Sequence, residues 1–244
     1  MKSSYDLATF PDAAALAATV AGELTARLRH LHTTGSRVAV ALSGGRIAVP
    51  LFNTLRSHLE METGWRDTVH WFWADERLLP HDDPRSNYRL ARLHLLDPLN
   101  VPAERRHPVP CARDPVAAAR QADEELRQAL GFGQPDVPVL DLVLLGMGED
   151  GHIASLFPGV PVEVPRPHAA FAGVRGAPKP PPDRVTLTWE ALAAAQTVWV
   201  LVSGPGKGAA LQRALKGDDE VPLGRLLQLR SGTRLFVEKA ALPS

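Results

Sequence analysis

Four short apolar runs in this chain each stop abruptly at glycine or charged residues, and this punctuation limits the fold more than any other feature. Arg37–Leu42 (RVAVAL) stops at Ser43-Gly44-Gly45, and Val69–Ala74 (VHWFWA) at Asp75-Glu76-Arg77. Val139–Leu145 (VLDLVLL) stops at Gly146, and Thr197–Val202 (TVWVLV) at Ser203-Gly204-Pro205-Gly206-Lys207. Runs of this length, bounded by turn residues, read as strands. Between them lie helical patterns. Asp12 is placed to cap a helix over about Ala13–Leu31, where Leu16, Val20, Leu24, Leu28 and Leu31 recur at helical spacing. Ile47–Glu60, Asn87–Leu96, Val116–Leu130 and Gly206–Leu215 read as further helices, with a polar loop over Asp75–Ser86. Ala169–Val174, Arg184–Thr188 and Thr233–Val237 add strand-like segments. Alternating strands and helices predict an α/β fold, a mainly parallel sheet with helices on both faces. With 244 residues, 45% of them apolar, one domain spanning 1–244 can bury a sizeable core. The proline-rich stretch Pro178–Pro182 reads as an extended surface loop and not a linker, since strand-like sequence resumes at once. No internal repeat is present.

Bulk properties exclude several functions. Lys plus Arg and Asp plus Glu number 27 each, so the chain lacks the basic surplus of a protein that tracks nucleic-acid phosphates. One small basic pocket remains compatible with that balance. The single cysteine, Cys111, cannot form an intramolecular disulfide or a cysteine-rich zinc site. The opening MKSSYDLATFPDAAALAATV lacks the apolar core and cleavage site of a signal peptide. The longest apolar runs fall far short of the ~20 residues of a membrane span. A cytoplasmic location, with no membrane or nucleic-acid partner, is the expectation.

In an open parallel sheet, ligands bind beyond the carboxyl ends of the strands, so four polar clusters at those ends are expected to share one pocket. At Ser43–Arg46, glycines let backbone N–H groups approach an anion at a helix start. Two adjacent glycines also mark ordinary tight turns. The spacing is not that of a Walker motif, so a nucleoside triphosphate is not indicated. Lys207, after Gly204 and Gly206 at another helix start, offers a second phosphate contact, or is a plain solvated lysine. Asp75-Glu76-Arg77 is either a surface charge cluster or pocket wall, with Asp75 or Arg77 facing inward.

Asp150-Gly151-His152 is the sharpest local signal. An imidazole with a pKa of ~6.5 can take a proton from water near neutral pH. Asp150 could orient that ring, as an acid does in a hydrolytic triad. A metal site is the rival reading, but no HExxH pair and no Cys–His cluster is present. No metal and no cofactor is therefore expected. The other histidines (30, 32, 58, 70, 81, 94, 107 and 168) lack convergent glycines, and Trp65, Trp71, Trp73, Trp189 and Trp199 read as core or pocket wall.

Taken together, the blocks LSGGR (Leu42–Arg46), ADERLLPHDDPRSNY (Ala74–Tyr88), GMGEDGHIASLFPG (Gly146–Gly159), and RVTLT with SGPGK around Arg184 and Lys207 resemble the 6-phosphogluconolactonase family. That family shares a superfamily with the glucosamine-6-phosphate deaminases. The resemblance spans Leu42 to Lys207 and rests most on the third block. It implies a modified Rossmann-like, sugar-phosphate isomerase-like fold and a metal-free hydrolase of the oxidative pentose phosphate pathway. The expected partner is a small phosphorylated sugar lactone, and the expected state is a monomer. By position, His152 becomes the general base and Asp150 its partner; Arg77 is the candidate to stabilise the oxyanion, and Asp75 is expected beside it in the catalytic set. Gly44, Gly45, Arg77 and Lys207 match positions that hold phosphate or face the sugar, Arg184 lies in a matching block, and Ser43, Arg46 and Arg184 are expected among the substrate or phosphate contacts. Two departures stand out. Many members carry Ser or Thr, then Pro, after the Gly-Gly pair, where this chain has Arg46 and Ala48. The deaminase branch carries Glu five residues after the histidine, where this chain has Phe157. Isomerisation of an amino sugar needs that extra acid, whereas lactone hydrolysis needs a base, water and oxyanion stabilisation. A deaminase and a catalytically silent sugar-phosphate sensor are the alternatives.

Overall fold

A computed structural model describes residues 5–33, 37–62, 64–133 and 136–243. Along these the chain runs β1 (Tyr5–Phe10), α1 (Ala13–Thr33), β2 (Val38–Leu42), α2 (Ala48–Glu60), β3 (Val69–Trp73), β4 (Asp75–Arg77), α3 (Asn87–Ala91) and α4 (Pro115–Leu130). It continues through β5 (Leu142–Gly146), β6 (Val162–Glu163), β7 (Phe171–Val174), β8 (Arg184–Leu187), α5 (Trp189–Ala194), β9 (Val198–Val202), α6 (Gly208–Leu215), α7 (Pro222–Leu229) and β10 (Thr233–Glu238). Six strands form one wholly parallel sheet in the order β1-β10-β9-β5-β2-β3. Its inner strands β2 and β9 are buried throughout, as a sheet covered on both faces by helices requires. The fold class is the expected one, a mainly parallel α/β sheet, with one continuous core joining its strands and helices.

The helices form for the local reasons the sequence carries. Asp12 Oδ1 accepts the Ala15 N–H at 2.8 Å, and Leu16, Val20, Leu24 and Leu28 of α1 face the core. Asp114 caps α4 through the Ala117 N–H at 2.8 Å, Pro115 fills its first turn, and Gly131 ends it in the left-handed region.

Three expectations need correction. First, Asp75–Ser86 is not loop throughout. Asp75–Arg77 pairs antiparallel with β8, and β4-β8-β7-β6 forms a second, antiparallel sheet. Second, the helix over Asn87–Leu96 divides into α3 and a π-helical turn, Arg92–Leu96. Third, β1, β6, α5 and α7 are elements the sequence pattern did not single out. Among the described residues, no helix is long and apolar enough to cross a membrane. Met1–Ser4, on which part of the leader expectation rests, lies outside the described residues.

Candidate active site

Strands β2, β5 and β9 end side by side, and β3 passes into β4 at the same edge. The turns beyond them line a cleft of about 380 Å³. Ser43, Gly44, Gly45, Arg46, Asp75, Arg77, His152, Arg184 and Lys207 all line it, so the structure brings the expected residues together. Asp150 is absent from the wall itself but is bonded to His152.

The histidine loop is held by its glycines. The Gly148 N–H donates to the His152 carbonyl at 2.9 Å, and Met147 bridges to Ile153, which curls the loop back on itself. A Cβ on Gly148 would lie 2.1 Å from the imidazole, so only glycine leaves room for the ring. Within this loop His152 Nδ1 and Asp150 Oδ1 share a very short hydrogen bond. Burial acts to raise the pKa of Asp150. The hydrogen bond and charge of His152, with Lys179 4.0 Å away, outweigh that and hold it at about 2. A permanently ionised acceptor at Nδ1 fixes the tautomer that leaves Nε2 free to take a proton. Among the described residues Nε2 has no partner. Phe157 packs on the imidazole at a centroid distance of 4.5 Å, and the Arg184 guanidinium lies 5.3 Å from the Phe157 ring. The position that would carry a deaminase's glutamate is thus a buried aromatic support.

The second sheet supplies two arginines of the wall. Its register places Arg77 directly opposite Arg184, a like-charge pair that costs stability in an ordinary sheet. Asp75 and Glu76 lie beside them. Glu76 is buried and accepts hydrogen bonds from the Arg77, Asn87 and Tyr88 N–H groups and the Ser86 hydroxyl, at 2.7–2.9 Å. It pins the loop from β4 to α3; burial raises its pKa, opposed by those four bonds. Asp75 accepts the Ser155 hydroxyl at 2.7 Å, and Arg184 Nη1 donates to that same oxygen at 3.4 Å. Arg184 also donates to the carbonyls of Pro181 and Lys179, which draws the Pro178–Pro182 loop over the cleft. Burial lowers the pKa of Arg184, and the Asp75 charge opposes the shift.

At the other two turns, glycine again sets the geometry. A Cβ on Gly44 would stand 2.0 Å from Asn87 Oδ1, so this residue admits the asparagine to the cleft. Among the described residues the buried Ser43 hydroxyl has no hydrogen-bond partner. Glu238 accepts the Ser203 hydroxyl at 2.6 Å and the Gly204 N–H at 2.8 Å, which anchors the turn before Lys207. Lys207 is buried at the N-terminus of α6, and burial, helped by the Arg46 charge, lowers its pKa to about 8. A buried cation and an unpartnered hydroxyl lining one cleft are chemically a site for an anion.

Several residues of the wall or its support were not foreseen, Glu238 among them. Asn87, Ser155 and Glu149 lie inside the singled-out blocks but carry no local mark of their role. Lys179 sits in the surface loop and is half-exposed, yet it reaches the cleft. Among the five tryptophans, Trp65, Trp71, Trp73 and Trp199 are core and Trp189 is partly buried beside it; none lines this cleft. Among the described residues no cluster of three histidine, cysteine or acidic side chains could hold a metal ion.

Residues 11–235 match the family described as glucosamine-6-phosphate isomerases/6-phosphogluconolactonase. A 6-phosphogluconolactonase of Mycobacterium leprae is 33% identical over 247 residues, covering 99% of this chain and 98% of that protein. The Homo sapiens 6-phosphogluconolactonase is 38% identical over 210 residues, covering 84% and 80% respectively. A solved 6-phosphogluconolactonase from Trypanosoma cruzi shares the fold with a TM-score of 0.86 at 28% identity, covering 99% of this chain and 97% of that one.

Proposed function

The chain belongs to the glucosamine-6-phosphate isomerase/6-phosphogluconolactonase family, and on that premise we propose that it hydrolyses 6-phospho-D-glucono-1,5-lactone to 6-phospho-D-gluconate. It is an ester hydrolase acting on a phosphorylated sugar lactone, in the second step of the oxidative pentose phosphate pathway. The observation that carries this reading is the His152–Asp150 pair, opening onto the same cleft as the buried Lys207.

The 6-phosphate is held by Lys207 and by the donors of Ser43–Arg46 near the start of α2. Gripping this remote group places the lactone ring in the cleft, and the resulting positioning supplies much of the rate advantage. His152 Nε2 takes a proton from a water molecule, whose oxygen attacks the lactone carbonyl carbon. Asp150 keeps the imidazole in the right tautomer and stabilises its charge once protonated. Negative charge then builds on the carbonyl oxygen, where Arg77 and the loop N–H groups stabilise it. The tetrahedral species collapses by breaking the ring C–O bond, and the imidazolium returns its proton to the leaving ring oxygen. Asp75 and Arg184 hold the wall in place. Phe157 supports hydrolysis over deamination, because it leaves no second carboxylic acid at the position where ring opening of an amino sugar needs one.

A coupled assay on freshly made δ-lactone, with and without chelator, tests this reading. The expected result is ring opening well above the buffer rate in both. His152→Ala should lose roughly 100- to 10,000-fold in kcat, as removal of a general base does; a loss of only a few-fold would sink the assignment. Ammonia release from glucosamine 6-phosphate would point to a deaminase instead. Thermal stabilisation by the sugar phosphate without turnover would point to a sensor.

A further inference from the structure

An ion pair that the hydrolytic steps do not use crosses the Lys207 side of the cleft. Arg46 Nη2 lies 3.1 Å from Glu149 Oε1, joining the turn after β2 to the loop that carries His152. Both residues line the cleft, and their side chains are 68% and 57% exposed. The pair lies against the glycine turn that leads into Lys207. A Cβ on Gly204 would stand 3.6 Å from Arg46 Nη2, and one on Gly206 would stand 3.5 Å from the Glu149 side chain. The charges of both residues act on the Lys207 ammonium, in opposite senses.

Such a pair is easily exchanged. In solvent it is worth little, and the two long side chains lose freedom to form it. A phosphate offers up to two charges and a face that a guanidinium fork grips bidentately. Arg46 stands beside the backbone donors of Gly44 and Gly45 and the unpartnered Ser43 hydroxyl, with Lys207 lining the same cleft. Among the described residues Glu149 has no other ion-pair partner, so losing Arg46 returns its carboxylate to water.

We infer that Arg46 is a phosphate clamp held in reserve by Glu149, which gives it up when a substrate phosphate enters beside Lys207 and recovers it when product leaves. The inference rests on the phosphorylated-lactone reading of the same cleft. It makes Glu149 an affinity-setting residue. The carboxylate competes with the ligand for one cation, so a dianionic phosphate can displace it where a singly charged group does so poorly.

The test is a mutant cycle read in two ways, by calorimetric titration with inorganic phosphate and by KM for the δ-lactone. The variants are Glu149→Gln, Arg46→Met and the double mutant. Because both side chains are exposed, an unchanged melting temperature should confirm that each variant is folded. Glu149→Gln should tighten phosphate binding by roughly two- to fivefold, the span of one exposed ion pair, and lower KM by a similar factor. Arg46→Met should weaken binding by roughly fivefold or more. In the Arg46→Met background the effect of Glu149→Gln should vanish. An equal gain in that background would show simple repulsion, and unchanged binding in both single variants would show no contact with phosphate; either overturns the clamp. Failure of the lactonase reading shows separately, as absent turnover by the parent protein, because the titration does not depend on turnover.

Discussion

His152 and Lys207 are both held where their surroundings restrict their chemistry, and each restriction has a measurable consequence. Asp150 reserves one nitrogen of the imidazole, so the ring has a single face of use to water. Lys207 is a buried ammonium whose pKa is lowered to about 8 by burial first and by Arg46 second. A lowered lysine pKa means the charge is present below that value and lost as pH rises through it. The ligand's phosphate gains its second charge above about pH 6. Affinity for the phosphorylated lactone is therefore expected to be greatest between about pH 6 and 8. In a pH series of kcat/KM, the alkaline limb should fall through about 8. In Lys207→Met that limb should be missing and KM raised throughout; an alkaline limb unchanged in the variant would remove Lys207 from the phosphate site.

At the scale of elements, what matters is how a strand hands its chain to the next turn. β5 ends in Gly146, and the loop after it closes through the Gly148–His152 backbone bond. A methyl group at position 148 would collide with the imidazole and stand 2.7 Å from Asp150 Oδ1, so Gly148→Ala must displace the His152–Asp150 pair. Misplacement by an ångström costs on the order of 100-fold in rate. The expected outcome is a kcat lower by about that factor, with far-UV circular dichroism unchanged. Near-parental kcat would show that the loop absorbs the methyl group and that its tightness is unrelated to catalysis. Strand β4 plays a comparable part. By pairing with β8 it turns what reads as a charged loop into a short rigid wall, which sets Arg77 across from Arg184.

Across the molecule, a feature that titrates between about pH 6.5 and 4 lies on the edge strand β3, away from the cleft. His70 and His107 are buried and joined Nδ1 to Nε2 at 2.8 Å. His107 Nδ1 meets Glu125 at 2.7 Å, and an Arg105 N–H is bonded to the other nitrogen of His70. The Arg105 donor requires His70 to be neutral there. Burial first, then the neighbouring His107, Arg105 and Arg37, lower its pKa to about 4. Burial likewise lowers that of His107, with Glu125 opposing. The unfolded chain thus binds protons that the folded chain refuses. The stabilising contribution is whole above about pH 6.5 and is lost as pH falls toward 4. One group shifted this far accounts for up to about 3 kcal/mol. Urea denaturation from pH 8 to pH 4 should show that loss, and His70→Gln should flatten it. An equal slope in the variant would place the acid sensitivity elsewhere.

What the sequence determined by itself is what short strings can encode. Apolar runs of strand length, broken by Ser43-Gly44-Gly45, Gly146–His152 and Ser203–Lys207, set the parallel sheet and the edge where the cleft opens. Helix starts were legible at Asp12, whose side chain caps its own next turn. β1 was not legible, because an edge strand pairs on one side only and Asp6 and Thr9 interrupt the apolar residues of YDLATF, none of which is fully buried. Other features depend on which distant segments meet, and these only the tertiary structure decided. Antiparallel register sets Arg77 opposite Arg184, and Gly44 makes room for Asn87, 43 positions further along. Arg184 draws Lys179 over the cleft, and Glu149 occupies the guanidinium of Arg46. The glycine turns and the histidine block could be read locally because backbone freedom and residue type belong to single positions. The partners of each charge could not, because a charge is paired through space and the sequence does not state the distances.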